Sequence, residues 1–133
     1  MNEQPLVQSL RAALPNLLAV YLFGSRGSGD AGLESDLDLA VLVAGKVEPT
    51  RLWSLAGALA DIAGCPVDLL DLRAASTVMQ YQIVTTGRRV WERDARAALY
   101  ESFILSEKTA LDEARAPLLD RIRREGVVHG QYR

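Results

Sequence analysis

The chain has 133 residues, 49% of them hydrophobic and 24% charged, and its 15 basic and 17 acidic residues leave a formal net charge of −2. That size and balance suit a single domain over residues 1–133 and exclude an intrinsically disordered chain. The near-neutral charge gives no ground for expecting direct nucleic-acid binding. One cysteine, Cys65, excludes an internal disulfide or a Cys-rich metal site, and its neighbours Gly64 and Pro66 suggest a small buried residue where a loop enters a strand. No apolar run approaches the ~20 residues that span a bilayer, and the N-terminus lacks a basic stretch followed by an apolar one. A cytoplasmic chain without a membrane partner is expected.

Apolar residues at helical spacing predict a helix over residues 3–14, ended by Pro15-Asn16. The run LLAVYLF, residues 17–23, predicts a buried strand, and residues 24–35 a glycine-rich loop. A second strand is expected over 36–43, a turn over 45–49, a helix over 49–63 and a third strand, PVDLLDL, over 66–72. A helix over 74–86 stops at Gly87, a short strand RRVWER covers 88–93, and a long helix runs from 94 to about 125 with Pro117 as a possible interruption. The order is helix, strand, strand, helix, strand, helix, strand, long helix. It predicts a small mixed α/β (α+β) domain, a sheet of about four strands flanked by helices.

Two acids open the second strand. Residues two apart on a strand share a face, so Asp36 and Asp38 point the same way while Leu37 and Leu39 point the other. Carboxylates ~5–7 Å apart repel, and burying either without a partner costs several kcal/mol. Solvent exposure at the strand end, a basic partner or a divalent cation would offset this; Mg²⁺ takes oxygen ligands and commonly bridges carboxylates to substrate phosphates. Just upstream, Gly24 allows close backbone approach and Ser25 offers a hydroxyl and an N–H, the groups from which anion-binding loops are built. A cradle for phosphates thus faces a carboxylate pair, as a nucleoside triphosphate with its cation requires. A two-metal site, or a hydroxyl to be deprotonated, needs a third acid. The third strand supplies Asp68 and Asp71, which are three apart and so face opposite ways. Asp68 is read as the third acid and Asp71 as a cap for the following helix.

Gly24-Ser25, ten residues, then Asp36-Leu37-Asp38 matches the G-S-x₁₀-D-x-D pattern of nucleotidyltransferases with the polymerase β-like fold. The chain's length resembles that of the minimal nucleotidyltransferases, and its segments, including PVDLLDL and TGRRVWERD, resemble the MntA-like antitoxins that pair with HEPN-domain toxins. The resemblance implies transfer of AMP from ATP to a hydroxyl with release of pyrophosphate. The acceptor it implies is a tyrosine of a HepT-like ribonuclease toxin, which this chain would silence as the antitoxin in a hetero-oligomer. It implies two Mg²⁺ ions held by Asp36, Asp38 and Asp68, with Asp68 assisting deprotonation of the acceptor hydroxyl. Gly24 and Ser25 would hold the β- and γ-phosphates, and Arg26 could contact a phosphate. The family often has a second arginine in this loop; Ser28 stands in its place here. The rival readings are an enzyme of the same fold acting on a small molecule such as an aminoglycoside, and an antitoxin that works by binding alone.

Other features read as structural. Arg124 and His129 have the spacing of a HEPN ribonuclease motif, but Gly126 and Gly130 argue against the helix such a site needs. Arg88, Arg89, Arg93, Arg96, Arg115, Arg121, Arg123 and Arg124 are expected mostly on solvated helix faces, and Trp53 and Trp91 in core or edge packing.

Overall fold

The computed structural model of the chain describes residues 3–24 and 36–125, with the helical backbone alone for 114–125. The elements are α1 (Gln4–Ala13), β1 (Leu17–Phe23), β2 (Leu37–Val43), α2 (Pro49–Ala63), β3 (Val67–Asp71), a 3₁₀ turn (Leu72–Ala74), α3 (Thr77–Thr86), β4 (Arg88–Glu92) and α4 (Arg96–Glu125). The strands form one sheet in the order β3-β2-β1-β4. β1 runs antiparallel to both β2 and β4, and β2 runs parallel to β3. A mixed four-stranded sheet flanked by helices is the expected fold class.

Both faces of the sheet are covered. Leu37, Leu39, Val41 and Val43 of β2 pack with Leu6 and Leu10 of α1 and Leu55 and Leu59 of α2. The alternate residues Ala40 and Leu42 pack on the other side with Leu72, Ile83 of α3, and Ala97 and Ile104 of α4. A fully buried leucine contributes roughly 2 kcal/mol, and both layers rest on such residues. β1 departs from strict alternation: Leu17 faces the first layer, while Leu18 and Ala19 both face the second. A register shift between Leu17 and Ala19 absorbs the extra residue.

The helix ends follow local chemistry. Pro49 stands in the first turn of α2, and Gly64 ends it with φ 75°, its N–H bonded to Ala60 O. Ser76 caps α3, its hydroxyl accepting from Met79 N at 3.2 Å. That cap starts α3 at Thr77, three residues later than the spacing predicts, because the chain first closes the 3₁₀ turn. Asp94 accepts from Arg96 N, so α4 begins at Arg96 rather than 94. The helix continues through Pro117 uninterrupted.

Several expectations change. Trp53 is 84% exposed and packs in no core. Cys65 is only partly buried against the α1–α2 layer. Arg88, Arg89 and Arg93 belong to β4 and its end rather than to a helix face, and they are engaged. Arg88 pairs with Glu3, Arg89 with Glu92 and Glu101, and Arg93 donates to Leu17 O and Pro15 O. Trp91 packs at the core margin, as expected, beneath the guanidinium of Arg11. The side chains of Arg115, Arg121, Arg123 and Arg124, and all of His129, lie outside the described residues. Among the described residues no helix is long and apolar enough to cross a membrane.

Candidate active site

The antiparallel β1–β2 pair and the parallel β2–β3 pair bring three strand ends to one place. β1 finishes where β2 and β3 begin, so Phe23 lies opposite Asp38, and Asp38 lies opposite Asp68. Neighbouring strands stand ~4.8 Å apart, so the last two carboxylates share a face side by side. It is the face of Ala40, Leu42 and Leu70, just short of where α3 and α4 cover the sheet. Asp36 precedes the first residue of β2, one residue short of the strand expected from 36. Asp38 is partly buried, while Asp36 and Asp68 are exposed.

The electrostatics show the crowding. Burial foremost, then the charges of Asp68 and Asp36, push the Asp38 carboxyl above the usual carboxylate range. Among the described residues no cationic side chain pairs with Asp36, Asp38 or Asp68. The donor set is hard carboxylate oxygen with uncompensated charge, which suits a divalent cation such as Mg²⁺. As placed, the side chains share a face, a register and a field, but among the described residues no three acids, histidines or cysteines form a closed ligand group.

Gly24 closes the other side. Its φ is +74°, and a methyl group there would collide with Asp38 Oδ2. The end of β1 therefore lies directly against the carboxylate, an approach open to glycine alone. Ser25, Arg26 and Ser28 lie outside the described residues.

Asp71 belongs elsewhere. It is 3% exposed; Oδ2 accepts from Val47 N at 2.9 Å and Oδ1 from Arg73 N at 3.1 Å. Both oxygens serve backbone groups, one in the turn before α2 and one in the 3₁₀ turn, so the residue is a structural cap. Sequence reasoning missed a groove of about 550 Å³ between α2 and β3, with Asp68 among its lining residues. The small residues Ala56, Gly57 and Ala60 on one stretch of α2 were the available signal.

The family model described as "Polymerase beta, Nucleotidyltransferase" matches residues 6–96. The chain belongs to this nucleotidyltransferase family. Across 120 residues it is 37% identical to the protein adenylyltransferase MntA of Shewanella oneidensis, covering 90% of this chain and 86% of that protein. A chain of a toxin–antitoxin crystal structure with AMP-PNP superposes with a TM-score of 0.82 at 36% identity, covering 92% of this chain and 99% of that one. A chain from the complex of tri-AMPylated Shewanella oneidensis HEPN toxin with MNT antitoxin gives a TM-score of 0.75 at 34% identity, covering 91% and 95%. This nucleotidyltransferase is thus MntA-like over nearly its whole length, and its sheet is that of the polymerase β-like fold.

Proposed function

We propose that this nucleotidyltransferase transfers AMP from ATP to a tyrosine hydroxyl of a cognate HEPN ribonuclease toxin and thereby acts as its antitoxin. The observation that carries the reading is the registration of Asp38 against Asp68, with Asp36 adding its charge, beside a backbone that only Gly24 permits. Likeness to MntA and to chains of toxin–antitoxin structures, one with AMP-PNP and one with an AMPylated toxin, supports the substrate and the partner.

Asp36, Asp38 and Asp68 would hold Mg²⁺, which when bound neutralises triphosphate charge and favours a nucleophilic acceptor oxygen. The end of β1 at Gly24, with Ser25 and Arg26 beyond it, would hold the phosphates. Asp68, exposed at the rim, would take the acceptor's proton. The acceptor oxygen bonds to the α-phosphorus, the bond from that phosphorus to the β-phosphate oxygen breaks, and pyrophosphate leaves.

The test is labelling of the cognate HEPN-domain toxin, using ATP radioactive at the α-phosphate. Replacing Asp36 and Asp38 together by Asn should lower labelling by about 1,000-fold or more while the chain stays folded. Labelling at the wild-type rate by that folded variant would overturn the proposal.

A further inference from the structure

The groove between α2 and β3 is lined by Trp53, Ala56, Gly57, Val67 and Leu69 among other uncharged groups, and Asp68 is the one charged residue in its lining. Trp53 overhangs it and is 84% exposed. A large indole left in water beside an apolar groove is the pattern of an interaction anchor rather than of a folded core. The sheet is also open here: among the described residues β3 has β2 on one side and no strand on the other. An unpaired strand edge is a template for an extended peptide.

Alternation on β3 separates two chemistries. Val67 and Leu69 pack toward α1 and α2, whereas Leu70, two residues beyond Asp68, packs toward α3 and α4. An extended segment paired to this edge would alternate in the same way. One of its side chains would stand beside Asp68 on the acid face, and the residues before and after it would turn toward the groove and Trp53. Apart from Asp68, which alternation places on the opposite face of β3 from Val67 and Leu69, the lining holds no charge to pair with a buried ionic flank, whose burial would cost several kcal/mol.

We infer that the groove and the free edge of β3 seat the acceptor segment of the partner toxin, an extended stretch whose hydroxyl-bearing residue has apolar neighbours on both sides. The inference rests on the reading of Asp68 given above. Complementarity is what selects this occupant: a hydroxyl for the acid face and apolar side chains for the uncharged groove.

The test compares AMP transfer by the wild-type chain, Trp53→Ala and Gly57→Arg over a range of concentrations of the cognate HEPN toxin. Both positions tolerate change, since Trp53 is exposed and a Cβ at Gly57 meets nothing within 4 Å. The KM for toxin should rise about tenfold or more in each variant, as loss or blockage of an interface anchor requires, while the KM for ATP stays within about twofold. An unchanged KM for toxin in both variants overturns the inference, including the case in which Trp53→Ala abolishes only self-association of this chain. A wild-type chain that labels no toxin overturns the transfer reading itself, a result distinct from any difference between the variants.

Discussion

At Gly24 two constraints meet on one residue. The backbone takes φ +74°, and the space a side chain would need is filled by Asp38 Oδ2. Alanine would have to hold a left-handed conformation, at a cost of roughly 1–2 kcal/mol, and also push the carboxylate aside. Gly24→Ala should therefore lose about 1–2 kcal/mol in urea unfolding and reduce AMP transfer by about 100-fold. A variant that transfers AMP within about threefold of wild type would show that Asp38 need not occupy its present position. Asp68 and Asp71 make the complementary point. They are three residues apart on one strand, yet one is exposed at the rim and the other is 3% exposed with both oxygens bonded to backbone N–H groups. Opposite facing was legible from spacing; which acid was free to meet a ligand depended on a turn 24 residues upstream donating to Asp71.

Among the elements, β1 is the one on which the others depend, being buried from Leu17 to Leu22 and paired on both edges. Besides apolar packing on Ala97 and Ile104, it has a polar link to α4: Tyr21, 1% exposed, donates to Glu101 Oε2 at 2.6 Å, and Arg89 Nη1 of β4 donates to the same oxygen at 2.6 Å. Burial first, then the Glu101 carboxylate, drives the Tyr21 hydroxyl well above its ordinary pKa, so it remains a donor. Tyr21→Phe removes one hydrogen bond and leaves Glu101 held by Arg89, so urea unfolding should show a loss of about 1–1.5 kcal/mol. Glu101→Ala leaves the buried Tyr21 hydroxyl without its acceptor and Arg89 with Glu92 alone, and should lose more, about 2–3 kcal/mol. Equal losses in the two variants would mean that Tyr21 OH finds another partner. These ties were not legible in the sequence, because the partners lie 80 and 12 residues apart and no spacing rule joins them. The elements themselves were legible wherever apolar period and end signals agreed, as at α2 with Pro49 and Gly64. Boundaries slipped where a side-chain cap chose the first helical residue, at Ser76 and Asp94.

For the whole molecule, the sequence displays Asp36 and Asp38 on one face, but the meeting of Asp38 with Asp68 needs the parallel pairing of β2 and β3 across the α2 crossover. The groove was illegible for the same reason, since it is the space left between α2 and β3 after both pack on a shared layer. That convergence should make the stability of the entire fold depend on pH and on cation. Asp38 has its carboxyl pKa raised by burial and by two neighbouring charges, above an ordinary value of 3.8. A carboxyl with a higher pKa folded than unfolded holds its proton more tightly when folded. The fold is then at its best below the unfolded value and loses stability as pH rises through the folded one. Asparagine at this position removes the ionisation, so metal-free Asp38→Asn should be more stable than wild type near pH 7 by a few tenths to about 1 kcal/mol. The difference should shrink as the pH falls through the folded value and be gone below about 4, where Asp38 is protonated in both states. Millimolar Mg²⁺ should reverse the order, stabilising wild type through binding to the folded state alone and the variant less. Thermal melts of both proteins across pH, with and without MgCl₂, decide the matter. A metal-free Asp38→Asn less stable than wild type near pH 7 would show that the three carboxylates do not strain the fold, and so would remove the electrostatic ground for placing a cation among them.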